Sequence, residues 1–248
     1  MCLIPGAFFF TAPMSESLFL LTTLAAVYFA RRRKFFVSAC FGFYAAFTRS
    51  LGMLCIIPAI YELIRFTIMQ PPRDSRGILK RVLEFAYSLI IPCGFGAYCF
   101  INYLVAGDAF KFMEYQKNHW GQQISYFFNT ACYEVEYFGR YIQNGDYNVA
   151  IALWGMGLFA FFGALTLLLA ASKRLRPSYM GYSIIYFAVA MGATWLLSAP
   201  RYLIAMPVVT LALSLVTDSP RREFTAWALC LPLSLLYLMA FTLGLQVW

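Results

Sequence analysis

Glu16, Arg49 and Arg201 are the residues of this chain whose type and setting best suit chemistry. Glu16 lies in Ser15-Glu16-Ser17, where the apolar run Phe8-Phe9-Phe10 is broken by Pro13 and resumes at Leu18. A carboxylate at the mouth of an apolar helix is costly unless it meets water, a partner or a substrate. It can serve as a general base or accept a hydrogen bond from a sugar hydroxyl. It can equally cap a helix start, with Ser15 or Ser17 beside it and the helix dipole favouring its charge. Arg49 lies in Thr48-Arg49-Ser50 between two short apolar runs. Its planar fork of donors suits a phosphate, and the plainer alternatives are snorkelling or pairing with Glu16. Arg201 follows Pro200 and opens the apolar run 202–216. Tyr202 beside it can stack on a ring, or the two can anchor a helix at headgroup depth.

A second constellation is the segment Gly107-Asp108-Ala109-Phe110-Lys111-Phe112-Met113-Glu114-Tyr115-Gln116-Lys117-Asn118-His119-Trp120-Gly121. Its aromatic and apolar positions predict an amphipathic helix lying on a membrane surface. Gln116 and Trp120 are four apart and share a face, pairing an amide with a stacking plane, as a sugar requires. A plain surface helix explains the same pattern. His119 is the chain's one histidine and has no second His or Cys at ligand spacing, so no metal site is expected. Nucleophilic triads, glycine-rich phosphate loops and zinc motifs are absent, and no cofactor is expected.

The elements that must position these residues are membrane helices. The 248 residues are 62% hydrophobic and 12% charged, with a mean hydropathy of +0.68. A soluble domain carries roughly a quarter charged residues, so composition excludes that class. Apolar runs at 18–30, 35–47, 51–66, 82–105, 149–171, 179–197, 202–216 and 224–248 predict an all-α, polytopic transmembrane bundle forming a single domain over 1–248. Several runs fall short of the roughly 20 residues of a perpendicular span, so polar turns flanking them, such as 13–17, are expected to be helical too. Residues 3–10 read as the far end of a helix.

The net charge of +8 follows the loops rather than a nucleic-acid surface, so no nucleic-acid partner is expected. Counting outward from Arg31-Arg32-Arg33-Lys34, one threading places fourteen of the nineteen Lys and Arg residues on one side, which the positive-inside pattern makes cytoplasmic. Glu16, Arg49, Arg201 and the long segment 106–148 then share the outer side. That segment is too aromatic for a disordered linker and predicts one or two interfacial helices.

Three stretches, taken in order, resemble a known family. They are Phe9-Phe10-Thr11-Ala12-Pro13-Met14-Ser15-Glu16-Ser17-Leu18-Phe19, then Ala45-Ala46-Phe47-Thr48-Arg49-Ser50-Leu51-Gly52, then Gly107-Asp108-Ala109-Phe110-Lys111-Phe112 with Gln116 and Trp120-Gly121. Together with Arg201-Tyr202-Leu203 they resemble the PIG-V-type mannosyltransferases, which include the second mannosyltransferase of GPI-anchor assembly, over roughly residues 5 to 205. The resemblance implies a GT-C glycosyltransferase fold with its site at the outer or lumenal face. It implies transfer of a hexose, mannose foremost, from a polyprenyl- or dolichyl-phosphate donor to a glycolipid or glycan hydroxyl. Glu16, Arg49 and Arg201 would then be catalytic, and Ser15, Ser17, Asp108, Gln116, Trp120 and Tyr202 would bind substrate. The family's expected base is an aspartate in the first outer loop, which has no counterpart here. The resemblance therefore implies that the N-terminal part is missing, and that a partner subunit or a non-catalytic role are alternatives. The expected location is a bacterial plasma membrane, or the endoplasmic reticulum membrane in a eukaryote.

Overall fold

The computed structural model describes residues 4–121, 126–192 and 198–245. Every regular element among them is helical. The α-helices are α1 (Glu16–Arg31), α2 (Phe35–Thr48), α3 (Ile56–Met69), α4 (Ser75–Ser88), α5 (Ile90–Ala106), α6 (Lys111–Trp120) and α7 (Phe127–Gln143). They continue with α8 (Tyr147–Val149), α9 (Met156–Ala171), α10 (Pro177–Ala190), α11 (Ala199–Ile204), α12 (Pro207–Val216) and α13 (Pro220–Thr242). Short 3-10 helices occupy Ala7–Phe10 and Ser50–Cys55, and Ala150–Gly155 is a π-helix joining α8 to α9.

The chain forms two compact units. One comprises Met1–Glu16, Gln116–Leu175 and Phe187–Trp248; the other comprises Ser17–Tyr115 and Arg176–Tyr186.

The second unit is built on close backbone approach. A methyl group added at Gly52 would lie 2.1 Å from the Ala45 carbonyl carbon, and one at Gly94 would lie 2.0 Å from the Phe43 carbonyl oxygen. Only glycine fits these two positions, which lets Ser50–Cys55 and α5 press directly onto α2. Ser38 of α2 donates to the Ala26 carbonyl of α1 at 2.7 Å, fixing the hairpin that turns at the basic cluster. Asp74 caps α4 by accepting from the Gly77 amide at 3.2 Å. The register shifts at Leu89, between α4 and α5, because Pro92 has no N–H to give the Ser88 carbonyl.

In the first unit Phe9, Met156, Ile204, Tyr237 and Ala240 form a buried core that joins Ala7–Phe10, α9, α11 and α13. Phe8 and Phe241 extend it, their rings 4.9 Å apart.

Among the described residues four helical stretches are long and apolar enough to cross a membrane: Ser50–Met69, Ser75–Ala106, Tyr147–Ala171 and Pro220–Thr242. Their outer surfaces are apolar as well. Phe224, Leu229 and Leu236 of α13 are 74%, 61% and 63% exposed. Such a surface is compatible with an integral membrane protein.

Several expectations need correction. The polar turn at 13–17 lengthens the first span only by Glu16 and Ser17, because residues 12–15 bend and α1 starts at Glu16. Residues 7–10 form a 3-10 turn, opened by Gly6 at φ 91°, rather than the end of an α-helix. The run 202–216 is not one helix. It breaks at Ala205 and Met206, where Pro207 cannot donate the next backbone bond and Met206 is extended. The expected span 179–197 is helical to Ala190, and residues 193–197 lie outside the described residues. The segment 106–148 does fold as two helices, α6 and α7.

Candidate functional site

Glu16 and Arg201 meet. Arg201 donates its Nε to Glu16 Oε1, closing an ion pair across 185 positions of chain. The Glu16 side chain is fully buried and that of Arg201 is 25% exposed. Local structure explains the encounter. Glu16 is the first residue of α1, where the helix dipole favours a negative charge. Arg201 is carried by α11, which starts with a sharp turn. Ser198 is held at φ 67°, and its carbonyl accepts the Arg201 amide at 3.0 Å. A left-handed serine is uncommon, and Pro200 in the first helical turn sets the direction of the short helix that follows. The Arg201 guanidinium also lies 6.0 Å from the Phe9 ring centroid, at the edge of cation–π range.

The same helix lines a cavity. Pro200, Leu203 and Ile204 of α11, with Ala160, Gly163 and Ala164 of α9, bound an apolar space of about 190 Å³. One six-residue helix thus presents a cation on one side and a wall of an apolar cavity on the other.

Other expected site residues lie as follows. Ser15 is half-buried in the bend before α1, and Ser17 is exposed in its first turn. Tyr202 is half-buried on α11. Arg49 belongs to the other unit, half-buried at the joint between α2 and the 3-10 helix, where its carbonyl accepts the Gly52 amide at 2.8 Å. Asp108 is exposed and turns the chain into α6 by accepting from the Phe110 amide at 2.9 Å. Gln116 is exposed on α6. Trp120 ends that helix, and its side chain lies outside the described residues. No group of three potential metal ligands occurs among the described residues.

One further carboxyl escapes inspection of the sequence by motif. Glu134 of α7 is fully buried, and neither of its oxygens has a hydrogen-bond partner. Burial alone pushes its carboxyl up to about 8, so it is mostly protonated near neutrality. It packs against Gly157, where an added methyl would lie 3.1 Å from Glu134 Oε1. Tyr133, Tyr137 and Tyr141 of α7 surround the indole of Trp154 in the π-helix, with Tyr137 stacked at 5.1 Å. The signal was in the periodicity. Thr130, Tyr137, Phe138 and Tyr141 share one helical face, and Glu134 falls within it. The two carboxyl sites flank one element: Gly157 touches Glu134, and its neighbour Met156 packs in the core with Phe9 and Ile204.

Comparison with family models, with curated proteins and with solved structures finds no match to this chain.

Proposed function

We propose that the chain is a multi-pass membrane glycosyltransferase of the GT-C kind, moving a hexose, mannose foremost, from a polyprenyl- or dolichyl-phosphate donor to a glycan or glycolipid hydroxyl. The observation that carries this is the double character of α11. Its Arg201 is a cation held in place by a buried carboxylate, and its Pro200, Leu203 and Ile204 wall an apolar cavity. A lipid-phosphate sugar needs both: a guanidinium to stabilise the departing phosphate and an apolar surface for the isoprenoid chain. The sequence resemblance around Glu16, Arg49, Asp108 and Arg201 supports the same class.

Glu16 is given a positioning role here. A fully buried carboxylate engaged by Arg201 is suited to orienting that cation rather than to taking a proton from an acceptor. The sequence resemblance alone offers Arg49, Asp108, Gln116, Trp120 and Tyr202 as further candidate residues. The reaction needs no metal in this scheme, since arginine supplies the charge.

A second reading has its own observation. The same burial of Glu16 also suits a purely structural clamp between Glu16 and α11, as in a non-catalytic membrane subunit. Donor binding separates the two. Purified protein should retain polyprenyl-phosphate mannose in native mass spectrometry, and Arg201→Lys, which keeps charge but loses the fork, should weaken retention at least tenfold at an unchanged melting temperature. A clamp without function retains no donor in either form.

A further inference from the structure

Away from α11, in the unit Ser17–Tyr115 with Arg176–Tyr186, four arginines converge on one cavity. Arg31, Arg33, Arg65 and Arg176 line a space of about 220 Å³ together with Glu62 and Phe66. They come from three helix ends: the last turn of α1 and the turn after it, the second half of α3, and the residue preceding α10. We propose that this cavity binds a phosphate-bearing anion, and that an anionic phospholipid headgroup is its membrane source.

Charge is the first argument. Among the described residues lining the space Glu62 is the one acid, and both its oxygens are committed: Oε1 accepts from Ser178 Oγ at 2.9 Å and Oε2 from Arg176 at 3.1 Å. Four guanidinium groups against one carboxylate leave a net charge of three positive units around the space. Like charges gathered round one cavity repel, and an anion seated among them relieves that repulsion. Guanidinium forks match phosphate oxygens two at a time.

Backbone geometry is the second argument. A preference for basic residues on one side of a membrane explains how many arginines there are, but not their convergence. Arg33 adopts a left-handed backbone, φ 60°, which is unfavourable for a long side chain. That turn brings its guanidinium 4.3 Å from the Phe66 ring centroid and within 3.3 Å of Gln70 Oε1. Arg31 is held in turn by the Tyr179 hydroxyl at 3.0 Å. Arg31, Arg33 and Arg176 are therefore oriented before any ligand arrives.

The surroundings give the source. The cavity opens at the C-terminal end of Ser50–Met69, one of the stretches able to cross a membrane. Ile64, Ile68 and Met69 on that end are 44%, 75% and 62% exposed. A lipid with its phosphate among the arginines would lay its acyl chains along this surface. The inference does not rest on the proposed transfer reaction, whose Glu16–Arg201 pair lies in the other unit.

The test is lipid retention by the delipidated full chain in neutral detergent, read by native mass spectrometry with phosphatidylglycerol against phosphatidylcholine. Wild type is expected to hold one phosphatidylglycerol at least tenfold more tightly than phosphatidylcholine. Arg33→Asn with Arg65→Gln should remove that preference, asparagine being tolerant of the left-handed turn and Arg65 being exposed. Arg65→Gln alone should lower it severalfold, which keeps the test open if the double variant folds poorly. Lys173→Gln with Arg221→Gln, equal in charge but elsewhere, should leave it unchanged. Equal retention of both lipids, or an equal loss in the charge-matched control, overturns the site. Competition by millimolar inorganic phosphate identifies a soluble phosphate as the source; resistance to it identifies the lipid.

Discussion

Arg201 grips Glu16 with its Nε across 185 positions, tying the start of α11 to the start of α1. The carboxylate is fully buried, so removing one partner strands a charge. Glu16→Gln is expected to cost about 3–5 kcal/mol, the usual penalty for breaking a buried pair. Glu16→Gln combined with Arg201→Met should recover most of that loss. Chemical denaturation of the four-member cycle checks it, and additive losses would show that the pair is not coupled.

Glu134 makes stability fall as pH rises. Its folded carboxyl is raised to about 8, while in the unfolded chain it ionises near the ordinary value of 4.5. Below that ordinary value both states are protonated and there is no cost. Between the two values the unfolded state alone loses its proton, so stability declines by about 1.4 kcal/mol per pH unit. At pH 7 the deficit is roughly 3 kcal/mol. Glu134→Gln is therefore expected to stabilise the protein at pH 7 and to flatten the decline, as thermal unfolding between pH 5 and pH 8 would reveal. A variant that is less stable than wild type at pH 7 would mean that the ionised carboxylate has a native partner.

Gly52 and Gly94 hold the α2 contacts open. Gly94→Ala would place a methyl 2.0 Å from the Phe43 carbonyl oxygen, and Gly52→Ala would place one 2.1 Å from a backbone carbon. Backbone cannot yield as a side chain can, so each substitution should cost more than about 4 kcal/mol or abolish folding. Gly96→Ala on the same helix meets nothing within 4 Å and should be stabilising by up to about 1 kcal/mol. Equal melting temperatures for the three would refute the close approach.

Asp74 should be worth a helix cap. Asp74→Ala removes the bond to the Gly77 amide and is expected to cost about 1 kcal/mol, with amide exchange accelerated in the first turn of α4. Unchanged exchange at Gly77 would show that water serves equally well.

Helical class and most helix positions were legible because long apolar runs leave few alternatives. The breaks were harder. Pro92 and Pro207 are visible in the sequence, but whether a proline kinks, breaks or merely starts a helix depends on what its neighbours pack against, and Pro232 sits inside α13 without ending it. The sequence offers Arg49, not Arg201, as a partner for Glu16, so the pair with Arg201 is not legible in it. Chain separation hid it, since nothing local links residue 16 to residue 201. Glu134 was overlooked for the opposite reason. Its helix reads as a polar surface element until each residue is set on its face, and only then does an acid appear on the buried stripe.

Sugar transfer is the most direct test of the central claim. The full chain would be reconstituted in liposomes with labelled polyprenyl-phosphate mannose and a mixed glycolipid acceptor fraction, and label in the acceptor would be followed over time. The expected result is time-dependent transfer that falls at least a hundredfold in Arg201→Lys while the protein remains folded. Transfer that is absent from wild type, together with no retention of the donor, would contradict the assignment and leave the Glu16–Arg201 pair as a structural clamp.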